Sequence, residues 1–173
     1  YGADVVELDV QRTKDGQLAV FHDYDLSMRT DGKGIINDYT MKELRKLDVG
    51  YGYTADDGKT YPFRRKGIGL MPELSEVLET FKDKELLIHM QNSDLKTGKI
   101  LWTYLENMSE ERLSQITVYG NHDGVMYLRE QNSSIRVLSM KLLKNSLIKY
   151  ELLGWSGYIP KELHNMELHI PLS

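Results

Sequence analysis

Two carboxylates and one histidine near the start of the sequence have the types and spacing that metal-assisted proton transfer needs. Glu7 and Asp9 alternate with apolar residues in a strand pattern, so both side chains leave the same face of the strand. Oxygen ligands in this arrangement can share a hard divalent cation such as Mg²⁺ or Ca²⁺. His22 ends a second strand pattern over 17–21, and an imidazole with a reference pKa of about 6.5 can exchange a proton near neutral pH. Together the three residues predict acid–base chemistry beside a metal ion.

A structural interpretation of the same residues is open at this stage. Acids gather at strand ends in ion-pair networks as well as in active sites. In that interpretation His22 caps a turn, and Glu7 and Asp9 pair with the nearby cations Arg12, Lys14 or Arg29. The two interpretations differ in the groups that the carboxylates contact.

The elements that must position these residues alternate between strands and helices. A turn signature over 13–16 joins the first two strands, and a Gly-rich segment without periodicity predicts a loop or insertion over about 24–71. Within it, Thr40 and Glu43 predict a capped short helix over 41–48, and further along Asp123 is the predicted N-cap of another helix. The other predicted strands are 86–91, 116–120, 135–139, 158–159 and 168–170, and the other predicted helices are 72–81, 95–107, 124–131 and 141–153.

This order of elements predicts a parallel sheet covered by helices. No Gly-x-Gly-x-x-Gly follows the first strand, and polar residues gather at the carboxyl ends of several strands, which favours a (β/α)8 barrel of the TIM type over an open doubly wound sheet. A whole barrel takes about 250 residues, whereas this sequence has 173, begins without Met and ends on a strand-like run. We therefore expect a single incomplete barrel domain over 1–173, with a small insertion after the second strand.

Composition argues against several other classes of protein. The 22 Lys and Arg residues are scattered among 26 Asp and Glu, and the net charge is −4, so a nucleic-acid partner is not expected. No apolar run approaches the ~20 residues of a membrane-spanning helix. The absence of Cys excludes disulfides and thiolate zinc sites within these residues.

An ordered set of motifs carries a family resemblance. The segment over 2–23 reads GADVVELDVQRTKDGQLAVFHD, and it is followed by motifs over 26–34, 43–48 and 72–78. These motifs, in this order, resemble the glycerophosphodiester phosphodiesterase family. Beyond Gln91 the resemblance weakens to topology and a few runs, such as the one over 154–160.

The resemblance implies a barrel, a divalent cation (Mg²⁺ or Ca²⁺), and hydrolysis of glycerophosphodiesters to glycerol phosphate and an alcohol. By position, Glu7 and Asp9 match metal ligands, and His22 matches one of two catalytic histidines. The family's other catalytic histidine, in a His-Arg pair on the first barrel strand, has no counterpart in these 173 residues. The insertion over 24–71 would lie above the site and close over it.

The predicted third strand departs from the family pattern. His89 and Gln91 stand where the family usually has a Glu and a Lys two residues apart, so a metal-binding carboxylate and a phosphate-binding cation are both replaced. Alternation points His89 and Gln91 to the same side. We predict His89 in the metal site, directly or through water, and Gln91 at the substrate. A histidine simply hydrogen-bonded inside the barrel is the structural alternative.

Three functions are consistent with these residues. The first is hydrolysis of a glycerophosphodiester, a small-molecule substrate, and the second is a lyase or phospholipase-D-like reaction that forms a cyclic phosphate. The third is binding of a phosphodiester without turnover, which the replacements at His89 and Gln91 motivate.

Overall fold

The structure is a computed structural model that describes residues 2–92 and 94–160, and the chain divides into two compact units, Tyr1–Asn92 and Ser93–Ser173. The first unit contains β1 (Val5–Arg12), β2 (Leu18–Val20), α1 (Met41–Leu44), α2 (Leu74–Thr80) and β3 (Glu85–Met90), with short 3-10 helices at Leu26–Met28 and Ile36–Asp38. The second contains α3 (Leu95–Leu105), α4 (Glu110–Ser114), β4 (Ile116–Gly120), α5 (His122–Gln131), β5 (Arg136–Ser139) and α6 (Met140–Leu153), followed by a 3-10 helix at Gly154–Ser156.

In the first unit β1 is paired on both sides. β2 runs antiparallel to it, with Val10 opposite Val20, and β3 runs parallel to it, with Asp9 opposite His89. Leu8 and Val10 are buried on one face of β1, and because side chains alternate, Asp9 leaves from the other face. The pairing therefore brings the polar face of β1 beside polar residues of β3.

The insertion has a small apolar core of its own against β2. Ala19 of β2 packs with a cluster of fully buried side chains, namely Leu26, Ile36, Met41, Leu44 and Met71. The predicted capping box is present, since the Thr40 side chain accepts from the Glu43 N–H and the Glu43 carboxylate accepts from the Thr40 N–H. Burial of these apolar groups stabilises a segment that has little regular structure.

The second unit contains a parallel pair of strands and a close helix contact. β4 and β5 pair with Val118 opposite Val137. In α3, Gly98 faces the backbone of α5, and a Cβ at this position would lie 2.6 Å from the Gly124 carbonyl oxygen. The two helices approach this closely because neither glycine carries a side chain. None of the described helices is long and apolar enough to cross a membrane.

The structure corrects the sequence-based predictions in several places. The helix predicted over 41–48 ends at Leu44. The strand predicted over 158–159 was wrong, because Gly157 adopts a left-handed conformation (φ 81°) and Pro160, with no N–H to donate, follows two residues later. Asp123 is not an N-cap, because Asn121 caps α5 two residues earlier by accepting from the Asp123 N–H at 2.9 Å. The strand predicted over 168–170 lies outside the described residues, and α4 was not predicted.

Candidate active site

Asp9 joins the predicted residues of β1 and β3. Its carboxylate oxygen Oδ1 lies 2.7 Å from His89 Nδ1 and 2.8 Å from Gln91 Nε2. A carboxylate only accepts hydrogen bonds, so both nitrogens donate to it. The parallel register explains the contact, because Asp9 and His89 are direct neighbours across the two strands. The Asp9 side chain is thus almost fully buried yet hydrogen-bonded.

Glu7 lies two positions before Asp9 on the same face of β1. Glu7 is exposed, whereas Asp9 is 9% exposed. One acid is therefore open to solvent and the other is buried in the sheet. The charges of both acids act on His22, where they favour the protonated imidazole. The structure therefore brings the three residues within electrostatic range of one another.

His22 follows β2 and is held by its neighbour in sequence. Its Nδ1 lies 3.0 Å from Asp23 Oδ1, and Asp23 Oδ2 lies 3.3 Å from Arg29 Nε. The hydrogen bond to Asp23 is the largest cause that raises the pKa of His22 above 6.5, followed by the charge of Asp9. The ring's own desolvation opposes this increase, and the charges of Asp23 and Glu7 add to it. The imidazole therefore keeps its proton to a higher pH than an ordinary histidine.

One residue that anchors His22 was not singled out from the sequence. Gln11, two positions after Asp9 on the same face of β1, is 1% exposed and donates to main-chain carbonyls of the segment over 21–23. The sequence indicates a role for Gln11 only through its position, because this polar residue continues the alternation of Glu7 and Asp9.

The residues of the site fit a hard cation through two acids. Among residues 2–92 and 94–160, no three or more His, Asp or Glu side chains converge closely enough to hold a metal ion. Glu7 and Asp9 nevertheless supply hard, negatively charged oxygen donors on one strand face, the chemistry that Mg²⁺ and Ca²⁺ prefer, with water at the remaining positions. His89 donates Nδ1 to Asp9, so Nε2 is the ring nitrogen that a cation would meet.

Two side chains hold the loops of the insertion together, the buried carboxylate of Asp48 and the guanidinium of Arg64, which stacks on aromatic rings. Burial acts to raise the pKa of Asp48, but backbone donors outweigh it and hold the pKa below its ordinary value, with a further contribution from the charge of Arg64. Those donors are the N–H groups of Arg65, Gly50 and Gly67. The Arg64 guanidinium lies 4.1 Å from the ring centroid of Tyr51 and 3.8 Å from that of Tyr61. These contacts fix the loops of the insertion without a regular element.

The remaining described histidine, His122, belongs to the second unit and has its own partner there. In the second unit, His122 Nδ1 lies 3.0 Å from Ser139 Oγ, which also caps α6 by accepting from the Leu142 N–H. That arrangement is accounted for by helix capping. His164 and His169 lie outside the described residues.

Solved structures identify the class of fold. The chain is similar to the glycerophosphoryl diester phosphodiesterase domain of an uncharacterized protein from Mycobacterium tuberculosis, with a TM-score of 0.70 and 23% identity over 87% of this chain and 55% of that one. It is also similar to a phosphodiesterase from Oleispira antarctica, solved in complex with the product sn-glycerol-3-phosphate, with a TM-score of 0.63 and 21% identity over 80% of this chain and 54% of that one. These neighbours have the TIM-barrel fold, so the predicted fold class is confirmed.

Sequence comparison then identifies the family. The model of the glycerophosphoryl diester phosphodiesterase family matches residues 1–167, and the chain belongs to this family. It is 35% identical over 135 residues to a glycerophosphodiester phosphodiesterase from Caldanaerobacter subterraneus, and 30% identical over 168 residues to one from Bacillus altitudinis. These matches cover 78% and 92% of this chain, but the chain spans only 49% and 64% of the two relatives. Members of the family generally use a divalent cation.

Proposed function

We propose that the protein hydrolyses glycerophosphodiesters to glycerol phosphate and an alcohol, by general acid–base catalysis beside a divalent cation, Mg²⁺ or Ca²⁺. The observation that carries the proposal is the state of His22, an exposed imidazole whose proton is held by Asp23 and favoured by the charges of Asp9 and Glu7. An acid of this kind beside two carboxylates suits the cleavage of a phosphodiester. The names of the relatives and the product complex of one neighbour support the same reaction.

In this proposal Glu7 and Asp9 hold the cation. When bound, the cation supplies positive charge that neutralises the nonbridging phosphate oxygens of the substrate. The exposed carboxylate of Glu7 is accessible from solvent, and the buried carboxylate of Asp9 is held in place by the two donors from β3. A cation bound to them would lie on the polar face of β1.

His22 acts as the proton-transfer group. Because Nδ1 faces Asp23, the proton that leaves or arrives is the one on Nε2. A raised pKa keeps the imidazolium populated near neutral pH, which suits donation of this proton to the leaving alkoxide. Asp23 stabilises the charged ring and orients it.

His89 of β3 and Gln91, directly after this strand, complete the proposed site. His89 orients the Asp9 carboxylate through Nδ1, and its Nε2 would meet a bound cation directly or through water. The Gln91 amide donates to Asp9, and we propose that this amide also contacts a phosphate oxygen of the substrate. A neutral amide would there replace a cationic partner for the phosphate.

The test is an assay of the full-length protein on a panel of glycerophosphodiesters that differ in the alcohol. We expect glycerol phosphate to be released, the activity to disappear with a chelator, and Mg²⁺ or Ca²⁺ to restore it. Binding of the same compounds without turnover, in the presence of either cation, would instead establish the noncatalytic alternative. That alternative has its own observation, the presence of His89 and Gln91 in place of the Glu and Lys that the family usually has.

A further inference from the structure

We propose that Gln11 is a positioning residue for the catalytic histidine, and that its buried amide sets the place of His22 relative to the acids of β1. The inference rests on the proposed function for the role of His22. It concerns the segment over 21–23, here called the histidine segment, which follows β2 and carries both His22 and Asp23.

The geometry of the contact is that of one donor and several acceptors. Gln11 Nε2 lies 2.9 Å from the Phe21 carbonyl oxygen, 3.0 Å from that of Asp23 and 3.4 Å from that of His22. An amide nitrogen has two hydrogens, so the two short contacts use both of them. The Phe21 N–H also donates to the Asp9 carbonyl oxygen at 3.0 Å. The histidine segment is thus tied to β1 at two neighbouring residues, one of which also carries a proposed metal-binding carboxylate.

The His22 side chain needs this support from its backbone. It is 75% exposed, so little packing holds it, and its partner Asp23 belongs to the same three-residue segment. The position of the pair relative to Glu7 and Asp9 therefore follows the backbone of the histidine segment. Three carbonyl dipoles that converge on one point repel one another unless a donor lies between them. The Gln11 amide is that donor.

Gln11 has the chemistry that this position requires. Its side chain starts on the polar face of β1 and is 1% exposed, which places it beneath the histidine segment rather than in contact with solvent. A carboxylate there would face three carbonyl oxygens with no hydrogen to offer, and a thioether would leave them without this donor. Because Gln11 is buried, it acts on the reaction through His22 and does not contact the substrate.

The experiment compares Gln11→Met with Gln17→Met in the full-length protein. Both replace an amide with an unbranched side chain of similar size, and Gln17 is exposed on the same hairpin. We expect Gln11→Met to lower kcat by roughly 10- to 100-fold, as small displacements of a catalytic group do, with little change in KM. Gln17→Met should leave both constants unchanged. Gln11→Glu should lower kcat at least as much as Gln11→Met.

A double-variant cycle separates positioning from general damage. In a His22→Ala background the Gln11→Met change should cause no further loss of kcat, because the imidazole that Gln11 positions is already absent. An equal loss in both backgrounds would overturn the proposal. So would a Gln11→Met protein that keeps the wild-type kcat.

Hydrogen exchange provides a readout that does not depend on activity. In Gln11→Met we expect faster exchange of the main-chain N–H groups over 21–24, with unchanged exchange in β3. If His22→Ala proves active, the proposed role of His22 fails, and this exchange still decides whether Gln11 holds the segment. Should the Gln11 variants fail to fold, side-chain hydrogen exchange in the wild-type protein tests whether Gln11 holds the histidine segment. Side-chain N–H groups of Gln11 that exchange as fast as those of Gln17 would overturn the proposal.

Discussion

At Asp9, one carboxylate oxygen accepts hydrogen bonds from two side chains, His89 of the neighbouring strand and Gln91 directly after it. This contact fixes the direction of the second oxygen and lowers the freedom of the group on which a cation would bind. The His22 ring, in contrast, is 75% exposed and is held by its contact with Asp23. The site thus combines a rigid carboxylate with an exposed proton-transfer group, and variants of the two residues should have different effects.

Replacement of His22 by Ala should remove catalysis and leave the fold unchanged. The ring is 75% exposed, so its loss opens no cavity, whereas loss of a proton-transfer group lowers kcat by ~10²-fold or more. Steady-state kinetics and thermal unfolding of the full-length variant measure the two effects. Lys14→Ala, an exposed change on the same hairpin, serves as the control. Retention of most of the activity would exclude His22 from the reaction.

The pKa of His22 should fall when Asp23 is replaced by Asn. The carboxylate raises this pKa through its hydrogen bond and its charge, and the amide offers no charge. With a raised pKa, the folded state gains stability that is fully present below pH 6.5 and is lost as the pH rises through the raised value. Asp23→Asn should shift that loss to lower pH. NMR titration of the His22 ring measures the shift, and Asp25→Asn should leave the titration unchanged.

Substitutions at His89 should change the affinity for hard cations in opposite directions. His89→Glu adds a third carboxylate beside Asp9, so it should tighten Mg²⁺ or Ca²⁺ binding and lower the stability of the cation-free protein, because two carboxylates would then be neighbours. His89→Ala should loosen binding, since Asp9 loses a donor that orients it. Calorimetric titration measures both.

The reference for these titrations is the Glu7→Ala, Asp9→Ala double variant, in which binding should be lost. If neither His89 substitution moves the affinity while the double variant abolishes it, His89 lies outside the metal site. Unchanged binding in the double variant would exclude both acids.

At the scale of elements, patterns within one strand or helix were predictable, and contacts between elements were not. The strand over 116–120 and the capping box at Thr40 follow from local alternation and capping chemistry, and the structure has both. The hydrogen bond from His89 to Asp9 depends on the register between β1 and β3. The two residues are eighty positions apart, so no local sequence pattern predicts this register. The start of α5 was misplaced because Asn121 and Asp123 are both good caps, and only the backbone conformation decides between them.

A single methyl group should weaken the contact between α3 and α5. Alanine normally stabilises a helix relative to glycine, but at Gly98 the added carbon would lie 2.6 Å from a backbone oxygen of Gly124, which cannot turn away. Gly98→Ala should therefore lower the free energy of unfolding by about 1–3 kcal/mol. Denaturant unfolding measures it, with the exposed Lys96→Ala on the same helix as control. A stabilised Gly98→Ala protein would contradict the close approach.

For the molecule as a whole, every described residue of the candidate site lies in the first compact unit. Glu7, Asp9, His22, His89 and Gln91 all belong to Tyr1–Asn92. The barrel class was predictable because strands and helices alternate along the whole sequence, and the family motifs are concentrated in this same unit. The single domain expected over 1–173 stays a prediction.

The product of the full-length protein should distinguish hydrolysis from cyclisation. If water attacks the phosphorus, a reaction in ¹⁸O-labelled water places the label in glycerol phosphate at every stage of the reaction. A lyase would instead accumulate a cyclic phosphate without label. Mass spectrometry of early time points measures both products, and the known chemical hydrolysis of a cyclic phosphate standard serves as control. We expect labelled glycerol phosphate, as the proposed hydrolysis requires, whereas protonation of the departing alcohol by His22 is common to both reactions.

The antiparallel pairing of β1 and β2 has a consequence for how sequences of this kind diverge. The turn between them is closed by a hydrogen bond from the Thr13 N–H to the Gln17 carbonyl oxygen at 2.9 Å, and it sets Val10 opposite Val20. One residue more or less in this turn would slide β2 along β1 by about 3.4 Å per residue and carry His22 away from the acids. The turns of the insertion near Asp57 are exposed and take no part in the pairing of β1 with β2, so a change in their length would not shift this register. Insertions and deletions are therefore expected to accumulate there during evolution, while the length of the turn over 13–17 is maintained.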